Sequence, residues 1–337
     1  MTSIYLIASE RSGTNLVRRE FTNAQTDFYG MSPAHLLKNL YFREPFYGDL
    51  SQDNAFLNYI QDALNLCTIH FAPWEINWTP QGILKDYKNT PRTSIFFADY
   101  LMKKYAQEKG FNSYFCKDNY IYEFANDIAT KLPDAKFIYL YRDPRDVILS
   151  QIKRAKAKGS ANINVRYFAR MWNYEQIRSI RAAHALEQDN KCLRFSYEAF
   201  LENPEAITKN ICHHTNVQYT PSETALEKND GDIHEWKNLS KPVDTDNKNK
   251  FLTGLSKSDI RLIETECFDT MTYLGYSPLF GKNSATKMDR ITNKIKNITY
   301  SYKHKILHRN TNKNTNPAIP ARAKFLKTLT VNYTNRG

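Results

Sequence analysis

A strand, a polar turn and a helix follow one another at the start of the chain, and this stretch constrains the fold more than any other. Residues 4–8 form a short apolar run with β-branched and aromatic members, which predicts a buried strand. Residues 9–14 are turn formers, and Leu16, Val17 and Phe21 mark one face of a following helix. Such a unit directs backbone N–H groups and a helix dipole at one point, which favours phosphate. We therefore expect an α/β fold with an anion-binding turn near the N-terminus.

The turn itself carries residues that suit an anion. Gly13 permits close approach of the backbone to a ligand, and Arg11 adds a fixed positive charge. Ser12 and Thr14 supply hydroxyl donors. For this stretch on its own, an ordinary surface turn is the alternative, because Ser-Gly-Thr tripeptides are common in turns.

Length and composition are those of a globular protein with a sizeable core. The 337 residues suffice for one large α/β domain or two small ones, with 41% hydrophobic and 24% charged residues. The sequence contains no run of about 18 apolar residues, and its N-terminus lacks a basic region followed by an apolar stretch. We therefore expect no transmembrane helix, signal peptide or N-terminal membrane anchor.

The cysteines indicate a reducing compartment. There are five, an odd number, and no two form a C-x-x-C pair. Scattered thiols of this kind are typical of a cytoplasmic protein. They are Cys67, Cys116, Cys192, Cys212 and Cys267.

The net charge of +12 is concentrated at one end of the chain. Residues 281–337 contain thirteen Lys or Arg and one Asp, so the first 280 residues hold 34 basic and 34 acidic groups. We therefore divide the chain into a neutral domain, residues 1–280, and a basic tail, residues 281–337. Charge asymmetry of this kind predicts an anionic surface as the partner of the tail, and no nucleic acid as the partner of the whole protein.

A second strand–helix unit lies at residues 136–150. Residues 137–141 predict a central strand, Asp143 is a good N-cap, and Pro144 suits the first helical position. Arg142 stands at the end of this strand, and the helix carries Ser150 and Arg154 on one face because they are four residues apart. Two arginines and a hydroxyl at one crevice suit a compact dianion. For Arg145 and Asp146, in contrast, we expect a structural ion pair.

Lys117 follows another short strand, residues 113–116. Ligands of open α/β sheets bind beyond the carboxyl ends of the strands, so this lysine is placed where chemistry is expected. A solvated loop lysine is the alternative. No H-E-x-x-H or other spaced ligand set occurs, so we expect no metal.

Three further stretches bear on the region between these elements. Residues 27–33 are expected to form a connection, and Ser32 is expected to cap a helix that begins at Pro33. Thr90 is expected to cap a second helix, which begins at Pro91. Residues 68–89 form an irregular, aromatic-rich insert. This insert is either a loop that covers a flat substrate such as a sugar ring, or a surface loop anchored by its tryptophans.

Together these motifs resemble the PAPS-dependent sulfotransferases, which use 3′-phosphoadenosine 5′-phosphosulfate (PAPS). The resemblance runs from residue 3 to about residue 280 and rests on Arg11-Ser12-Gly13-Thr14 after a strand, on residues 142–146 with Ser150, and on Tyr197-Glu198. The Arg-Ser-Gly-Thr loop is most similar to the bacterial carbohydrate and tyrosylprotein-type branches. The resemblance implies a three-layer, P-loop-like α/β fold with a central parallel sheet flanked by helices.

The resemblance also implies roles for individual residues. The 5′-phosphosulfate is expected at Arg11, Ser12, Gly13, Thr14 and Asn15. Arg142 and Ser150 are expected to hold the 3′-phosphate, with Arg154 in support. Tyr197, Lys241 and Lys250 are expected on the adenine and phosphate side, and Lys117 is expected to face the transferred sulfonate. Sulfuryl transfer to a hydroxyl of a saccharide or glycoconjugate is the implied reaction.

The general base is less well marked. The Glu of the tyrosylprotein branch is missing, because Gly30-Met31-Ser32 stands in its place. His35, three residues further, is the candidate base, with Asp27 in reserve. A core or capping histidine is the alternative for His35.

The basic tail contains a helical pattern over residues 291–309. Ile291, Ile295, Ile298, Tyr302 and Ile306 are spaced like one face of a helix and are flanked by lysines. A basic amphipathic helix is typical of a membrane-surface segment, which predicts peripheral attachment to an anionic cytoplasmic leaflet. A helix that docks on the protein's own body is the alternative, and the end of the tail is expected to be partly disordered.

Two rival classes of function stay open. A P-loop kinase or nucleotidase requires G-x-x-x-x-G-K-[ST], and the loop lacks both the first glycine and the lysine. A non-catalytic protein that binds a nucleotide or a membrane through a degenerate pocket is compatible with the missing Glu.

Overall fold

A parallel five-stranded sheet forms the centre of the molecule. The computed structural model describes residues 2–23, 28–88, 90–157, 163–220, 242–307 and 317–334. The strands lie in the order β2-β3-β1-β4-β5, and all neighbouring pairs are parallel. Their bounds are β1 Ser3–Ala8, β2 Phe28–Gly30, β3 Ser113–Cys116, β4 Lys136–Tyr141 and β5 Cys192–Ser196.

Helices connect the strands and continue beyond the sheet. In chain order they are α1 Thr14–Asn23, α2 Leu36–Leu40, a 3₁₀ helix Tyr41–Tyr47, α3 Asp53–Thr68, α4 Pro80–Asp86, α5 Ser94–Glu108, α6 Ile121–Lys131, α7 Pro144–Ala157, α8 Val165–Gln188, α9 Tyr197–Glu202, α10 Pro204–His214, α11 Phe251–Gly254, α12 Lys257–Tyr273, α13 Lys287–Leu307 and α14 Ala318–Thr334.

Alternate residues of the strands pack into two separate cores. Tyr5 and Ile7 of β1 belong to the larger core, which also contains the buried faces of α3, α5, α6 and α8. Ile4 and Leu6 point to the opposite face and pack with Val17 of α1 and with side chains of α9 and α10. Because side chains alternate along a strand, helices cover both faces of the sheet. The expected three-layer α/β fold is confirmed.

Local boundaries differ from the sequence-based expectations in three places. Part of the expected connection at 27–33 is strand β2, which pairs with β3 at the sheet edge. Helix α2 begins only at Leu36, because His35 adopts a left-handed backbone conformation and the Ser32 hydroxyl donates to the Ala72 carbonyl instead of capping the helix.

Helix α5 also begins later than expected. Thr93, not Thr90, precedes its first turn and makes no capping bond with its side chain. The Ser94 N–H donates to the Glu44 carboxylate at 2.5 Å, so a side chain from a distant element satisfies this helix end.

The described part of the tail contains two helices, and both contact the rest of the chain. Helix α13 packs on α12 through a pair between Asp289 and Arg261. In α14, Arg322 donates to carbonyls of the body. Helix α14 begins at Ala318, and residues 308–316, where part of the expected disorder falls, lie outside the described part of the chain. Among the described helices, none combines the length and apolarity that a membrane span requires.

Candidate functional site

A polar cavity of about 310 Å³ lies beyond the carboxyl ends of β1 and β4. These strands are neighbours, so the turn before α1 and the start of α7 meet there. Its volume falls in the range of small-ligand pockets. The residues that line it are Arg11, Gly13, Thr14, Asn15, Leu16, Arg142, Asp146, Leu149, Ser150, Lys153, Tyr197, Asn247 and Lys250.

The turn between β1 and α1 has a backbone that few side chains tolerate. Arg11 and Gly13 both have positive φ angles, 72° and 93°. A Cβ atom added to Gly13 would lie 2.2 Å from the Tyr197 ring. Only glycine fits there, because both the conformation and the contact exclude a side chain.

The structure places Ser12 behind this turn and not in the cavity wall. Its side chain is fully buried, and its Oγ lies 2.8 Å from the Ser9 Oγ. Gln176 of α8 donates to the same Ser9 hydroxyl at 3.1 Å. The hydroxyl of Ser12 therefore stabilises the turn, while Gly13, Thr14 and Asn15 face the cavity.

Arg11 joins the turn to helix α7. Its Nε donates to the Ser150 Oγ at 3.1 Å, which brings two predicted anion-binding residues into contact. Arg154, one turn further along α7, donates to the Glu10 carboxylate at 2.9 Å and does not line the cavity. The two residues that the sequence places on one face of α7 therefore have different surroundings.

Arg142 is buried in the wall of the same cavity, where its Nη1 donates to the Arg11 carbonyl at 3.4 Å. Its guanidinium lies 4.2 Å from the centre of the Tyr197 ring, and Nη2 donates to the Asn247 carbonyl at 2.9 Å. The Asn247 amide in turn donates to the Tyr197 hydroxyl at 2.8 Å. Asp146 lies 3.9 Å from Nη2 and accepts the Phe251 N–H, so it connects Arg142 to the loop before α11. The cation is thus fixed in place before any ligand binds.

The cavity also contains residues that sequence reasoning missed. Lys153 lines it from α7, three residues after Ser150, and this helical spacing is a signal that the sequence carries. Asn247 enters from the loop that contains Lys250, and only the tertiary contact with Tyr197 identifies it. Lys250 lines the cavity and lies 3.3 Å from Asp244, whereas Lys241 lies outside the described residues.

Arg145 belongs to a structural network, but its partners are Asp143 and Glu264 and not Asp146, which lies beside Arg142 in the cavity wall. Arg145 lies 2.6 Å from Asp143 and 2.8 Å from Glu264, and all three side chains are buried. The N–H groups of Leu279 and Phe280 donate to the same Glu264 carboxylate. A fully paired network of this kind fixes the end of the domain to the start of α7.

Lys117 and Asp118 connect the cavity to His35. The ammonium group of Lys117 donates to the Asn15 side chain, at the start of α1. The Asp118 carboxylate accepts the backbone N–H groups of His35 and Leu36, both at 3.1 Å. Lys117 therefore contacts a residue that lines the cavity, and the next residue, Asp118, contacts the candidate base.

The electrostatics around His35 favour the neutral imidazole. Burial lowers its pKa well below the ordinary range, and the positive charge of Lys38 acts in the same direction. Its Nδ1 lies 3.7 Å from Asp118, whose own pKa is raised to about 6 by burial. A neutral imidazole next to a carboxylate is able to accept a proton. Asp27, the reserve base, lies outside the described residues.

Arg322 of α14 reaches the same region from the tail. Its guanidinium donates to the carbonyls of Ala34, Leu66 and Ile69 at 2.7–2.9 Å. Its charge lowers the pKa values of His35 and Asp118. A tail residue thus contributes to the surroundings of the candidate base.

A second polar cluster borders the turn before α1. Glu10 accepts hydrogen bonds from Asn119 and Arg154, both at 2.9 Å. Burial and the charge of Glu10 raise the pKa of Glu175 to about 8, while Lys38 opposes the shift. Lys38 also lowers the pKa of His35, so this cluster is linked electrostatically to the candidate base.

The aromatic insert 68–89 is anchored on the body. Trp74 is buried, stacks on Tyr105 at 4.5 Å between ring centres, and donates from its indole to the Ser32 carbonyl. Trp78 donates to Glu108 of α5. Both tryptophans of the insert are therefore anchored on the body, and residues 80–86 form helix α4 instead of an irregular loop. Among the described residues, no group of three or more His, Cys, Asp or Glu is placed to hold a metal ion.

A comparison with solved structures supports the fold. No curated protein matches the chain. Among solved structures, a sulfotransferase domain from the curacin biosynthetic pathway has a TM-score of 0.52 at 17% identity, over 81% of this chain and 97% of that one. A sulfotransferase domain from the Synechococcus PCC 7002 olefin synthase has a TM-score of 0.47 at 18% identity, over 82% and 95%. A sulfotransferase from Mycobacterium avium has a TM-score of 0.39 at 14% identity, over 65% of each chain.

The family model provides the assignment. The model described as sulfotransferase family matches residues 3–221, which include the turn before α1, the start of α7 and Tyr197. This match covers more than half of the chain. The protein therefore belongs to the sulfotransferase family.

Proposed function

We propose that this protein transfers a sulfuryl group from PAPS to a hydroxyl of a saccharide or glycoconjugate. The observation that carries the proposal is the single cavity in which Arg11 and Arg142, from different strand–helix units, lie with Ser150 and the first turn of α1. PAPS carries anionic groups at two ends, and a cavity with separate cations suits such a ligand.

The donor set of the cavity fits this ligand. Arg11, Gly13, Thr14 and Asn15 are proposed to bind the 5′-phosphosulfate at the N-terminus of α1. Arg142 and Ser150 are proposed to bind the 3′-phosphate, with Lys153 as an additional cation. The Nε of Arg142 is buried and has no hydrogen-bond partner among the described residues, so a donor is available for a ligand.

The reaction is an in-line displacement at sulfur. A bond forms between the acceptor oxygen and sulfur, and the bond between sulfur and the bridging phosphate oxygen breaks. Its electron pair stays on the phosphate of the released 3′,5′-bisphosphate (PAP). Fixed N–H groups and cations stabilise the charge that develops there, as in phosphoryl transfer. Lys117 is proposed to face the transferred sulfonate.

His35 is proposed to take the proton of the acceptor hydroxyl. Its lowered pKa keeps the imidazole neutral near pH 7, and Asp118 is placed to stabilise the imidazolium that forms. The residue is therefore proposed as a base and not as a core histidine.

A hydroxyl-rich acceptor is supported by the partly exposed side chains of Glu10 and Lys38, because the charge of Lys38 acts on the pKa of the candidate base His35. A carboxylate and an ammonium group offer hydrogen bonds to a sugar. We place the protein in the bacterial carbohydrate or tyrosylprotein-type branch because of its Arg-Ser-Gly-Thr loop. We place it in the cytoplasm because all five cysteines are free and buried.

Ligand selectivity tests the donor assignment. The full-length protein should bind PAP more tightly than ADP or ATP, which lack the 3′-phosphate. Arg142→Ala should weaken PAP affinity by about tenfold or more while changing ADP affinity less, because it removes a cation from the 3′-phosphate side. Isothermal titration calorimetry measures both affinities. Arg178→Ala is the matched control, since this arginine is exposed on α8 and paired with Glu123.

The same titration separates the rival functions. Preference for ATP over PAP would contradict the sulfotransferase reaction and support a kinase-like enzyme. Tight PAP binding without transfer from PAPS to any acceptor in a mass-shift screen of bacterial glycans would support a non-catalytic binding protein.

A further inference from the structure

Helix α13 docks on the body with its polar side. Asp289 is buried and accepts two hydrogen bonds from Arg261 of α12, at 2.6 and 2.9 Å. One turn further, Asn293 is also buried. Asn297, four residues on, accepts the Ile163 N–H at 2.9 Å. The row 289, 293 and 297 therefore fixes the rotation of the helix about its own axis.

The apolar side of α13 points away from the body. Side chains spaced three or four residues apart form one exposed row, because this spacing repeats on one face of a helix. The exposed fractions are 68% for Met288, 51% for Ile291, 57% for Ile295, 57% for Ile298 and 67% for Tyr302. With a rise of about 1.5 Å per residue, the row is about 20 Å long.

This arrangement reverses the usual one. A surface helix normally buries its apolar face against the core and exposes its polar face. Here the ion pair of Asp289 with Arg261 and the buried Asn293 face the body, and the isoleucines do not. A continuous exposed apolar row marks an interaction surface.

Positive charges flank one side of the exposed row. At 100° per residue, Lys287 and Lys294 border it, and both side chains are exposed. Lys296 lies on the other side, nearer the body, and pairs with Asp259 of α12 at 3.2 Å. The acidic side chain of α13, Asp289, points to the body. The free face of the helix is therefore apolar at its centre and basic along one edge.

We propose that α13 lies in the plane of an anionic membrane surface, with its isoleucines inserted between lipid headgroups and its lysines on the phosphates. Apolar insertion and attraction to anionic lipid add together for a helix of this kind. A second copy of the chain fits less well, because its lysines would face those of the first copy. The pair between Asp289 and Arg261 of α12 holds the helix on the body, so membrane binding by α13 would attach the whole protein.

Vesicle co-sedimentation of the full-length protein tests the proposal. The protein should sediment with phosphatidylcholine vesicles that contain phosphatidylserine, and less with pure phosphatidylcholine. The triple variant Ile291→Ser, Ile295→Ser, Ile298→Ser should bind at least about tenfold more weakly, because its apolar row is lost. Lys287→Gln with Lys294→Gln should lower binding to the anionic vesicles about tenfold and reduce its dependence on salt.

Matched controls distinguish this surface from non-specific lipid binding by other exposed apolar side chains. Phe46→Ser, Leu279→Ser and Ile319→Ser remove three side chains of similar exposure outside α13 and should leave lipid binding unchanged. Unchanged PAP affinity of every variant shows that the fold is intact. Failure of the wild type to bind anionic vesicles, or equal binding by the triple variant, would overturn the proposal.

One further outcome would identify another occupant. If sedimentation velocity shows a dimer that the isoleucine variant abolishes, and neither protein binds lipid, the face is an interface between copies. Either result leaves the sulfotransferase proposal untouched, because PAP binding is measured independently.

Discussion

His35 occupies a left-handed backbone conformation with φ 58°, which is rare for a residue that has a side chain. Such a conformation costs on the order of 1–3 kcal/mol and persists only where neighbours enforce it. The Asp118 carboxylate enforces it here by accepting the N–H groups of His35 and Leu36. One carboxylate thus sets the backbone of the proposed base and faces its ring.

Replacing this histidine should separate binding from turnover. His35→Ala should leave PAP affinity within about twofold of the wild type, while kcat for sulfuryl transfer falls by about 10²–10⁴-fold because the base is lost. Calorimetry and a radiolabelled PAPS assay give the two values. His184→Ala, on the exposed side of α8, is the control. Normal turnover of His35→Ala would place the base elsewhere.

The pH profile provides a second readout for the same residue. The pKa of His35 is lowered, so the imidazole stays neutral from pH 8 down to about 6.5. The basic form is the active one, so kcat/KM should be flat over that range. Activity should fall below about pH 6, where Asp118 takes up a proton and no longer stabilises the imidazolium.

At the scale of elements, the pairing of β1 with β4 decides the site. The two strands end side by side, so the turn before α1 and the first turns of α7 face one cavity. The bond from Arg11 to Ser150 joins residues that are 139 positions apart in the chain. Each helix start attracts anions by itself, and the sheet order places them together.

Helix α14 should support the region of the candidate base through Arg322. Arg322→Met should lower the free energy of unfolding by about 1–3 kcal/mol, because three buried carbonyls lose their donor. Loss of this cation should also raise the pKa of Asp118 and shift the acid limb of the activity profile to higher pH. Urea unfolding and the pH profile measure both effects. Lys324→Met, on the exposed side of the same helix, should change neither.

At the scale of the whole molecule, one buried carboxyl group should make stability depend on pH. The pKa of Glu175 is raised to about 8 by burial and by Glu10. Between about pH 5 and pH 8 the unfolded chain releases this proton and the folded protein keeps it, so stability decreases as the pH rises. The difference in stability between wild type and Glu175→Gln should shift by at least about 1 kcal/mol over this range, to the disadvantage of the wild type.

Chemical denaturation at several pH values tests this behaviour. Glu205→Gln, which removes an exposed carboxylate from α10, is the matched control. Parallel pH curves for wild type and Glu175→Gln would show that the group ionises in the folded state as it does in the unfolded chain.

Most of the strands and helices, and most of the anion-binding residues, are predictable from the sequence alone. Alternating and continuous apolar runs specify strands and helices locally, and the turn at 9–14 and the Arg142–Asp143–Pro144 stretch carry chemistry that depends on neighbours in the chain. Of the cofactor-binding residues predicted from these motifs, Arg11, Gly13, Thr14, Asn15, Arg142, Ser150, Tyr197 and Lys250 line the cavity.

The surroundings of individual site residues and the orientation of α13 are visible only in the folded structure, because they depend on contacts between residues that are distant in the chain. The Ser12 hydroxyl lies beside the Ser9 hydroxyl and not in the cavity. Arg154 donates to the Glu10 carboxylate and does not line the cavity either. Arg322 joins the surroundings of His35 from the far end of the chain. The helical pattern of α13 is evident in the sequence, but the ion pair between Asp289 and Arg261 decides which side meets the body and leaves the isoleucines exposed.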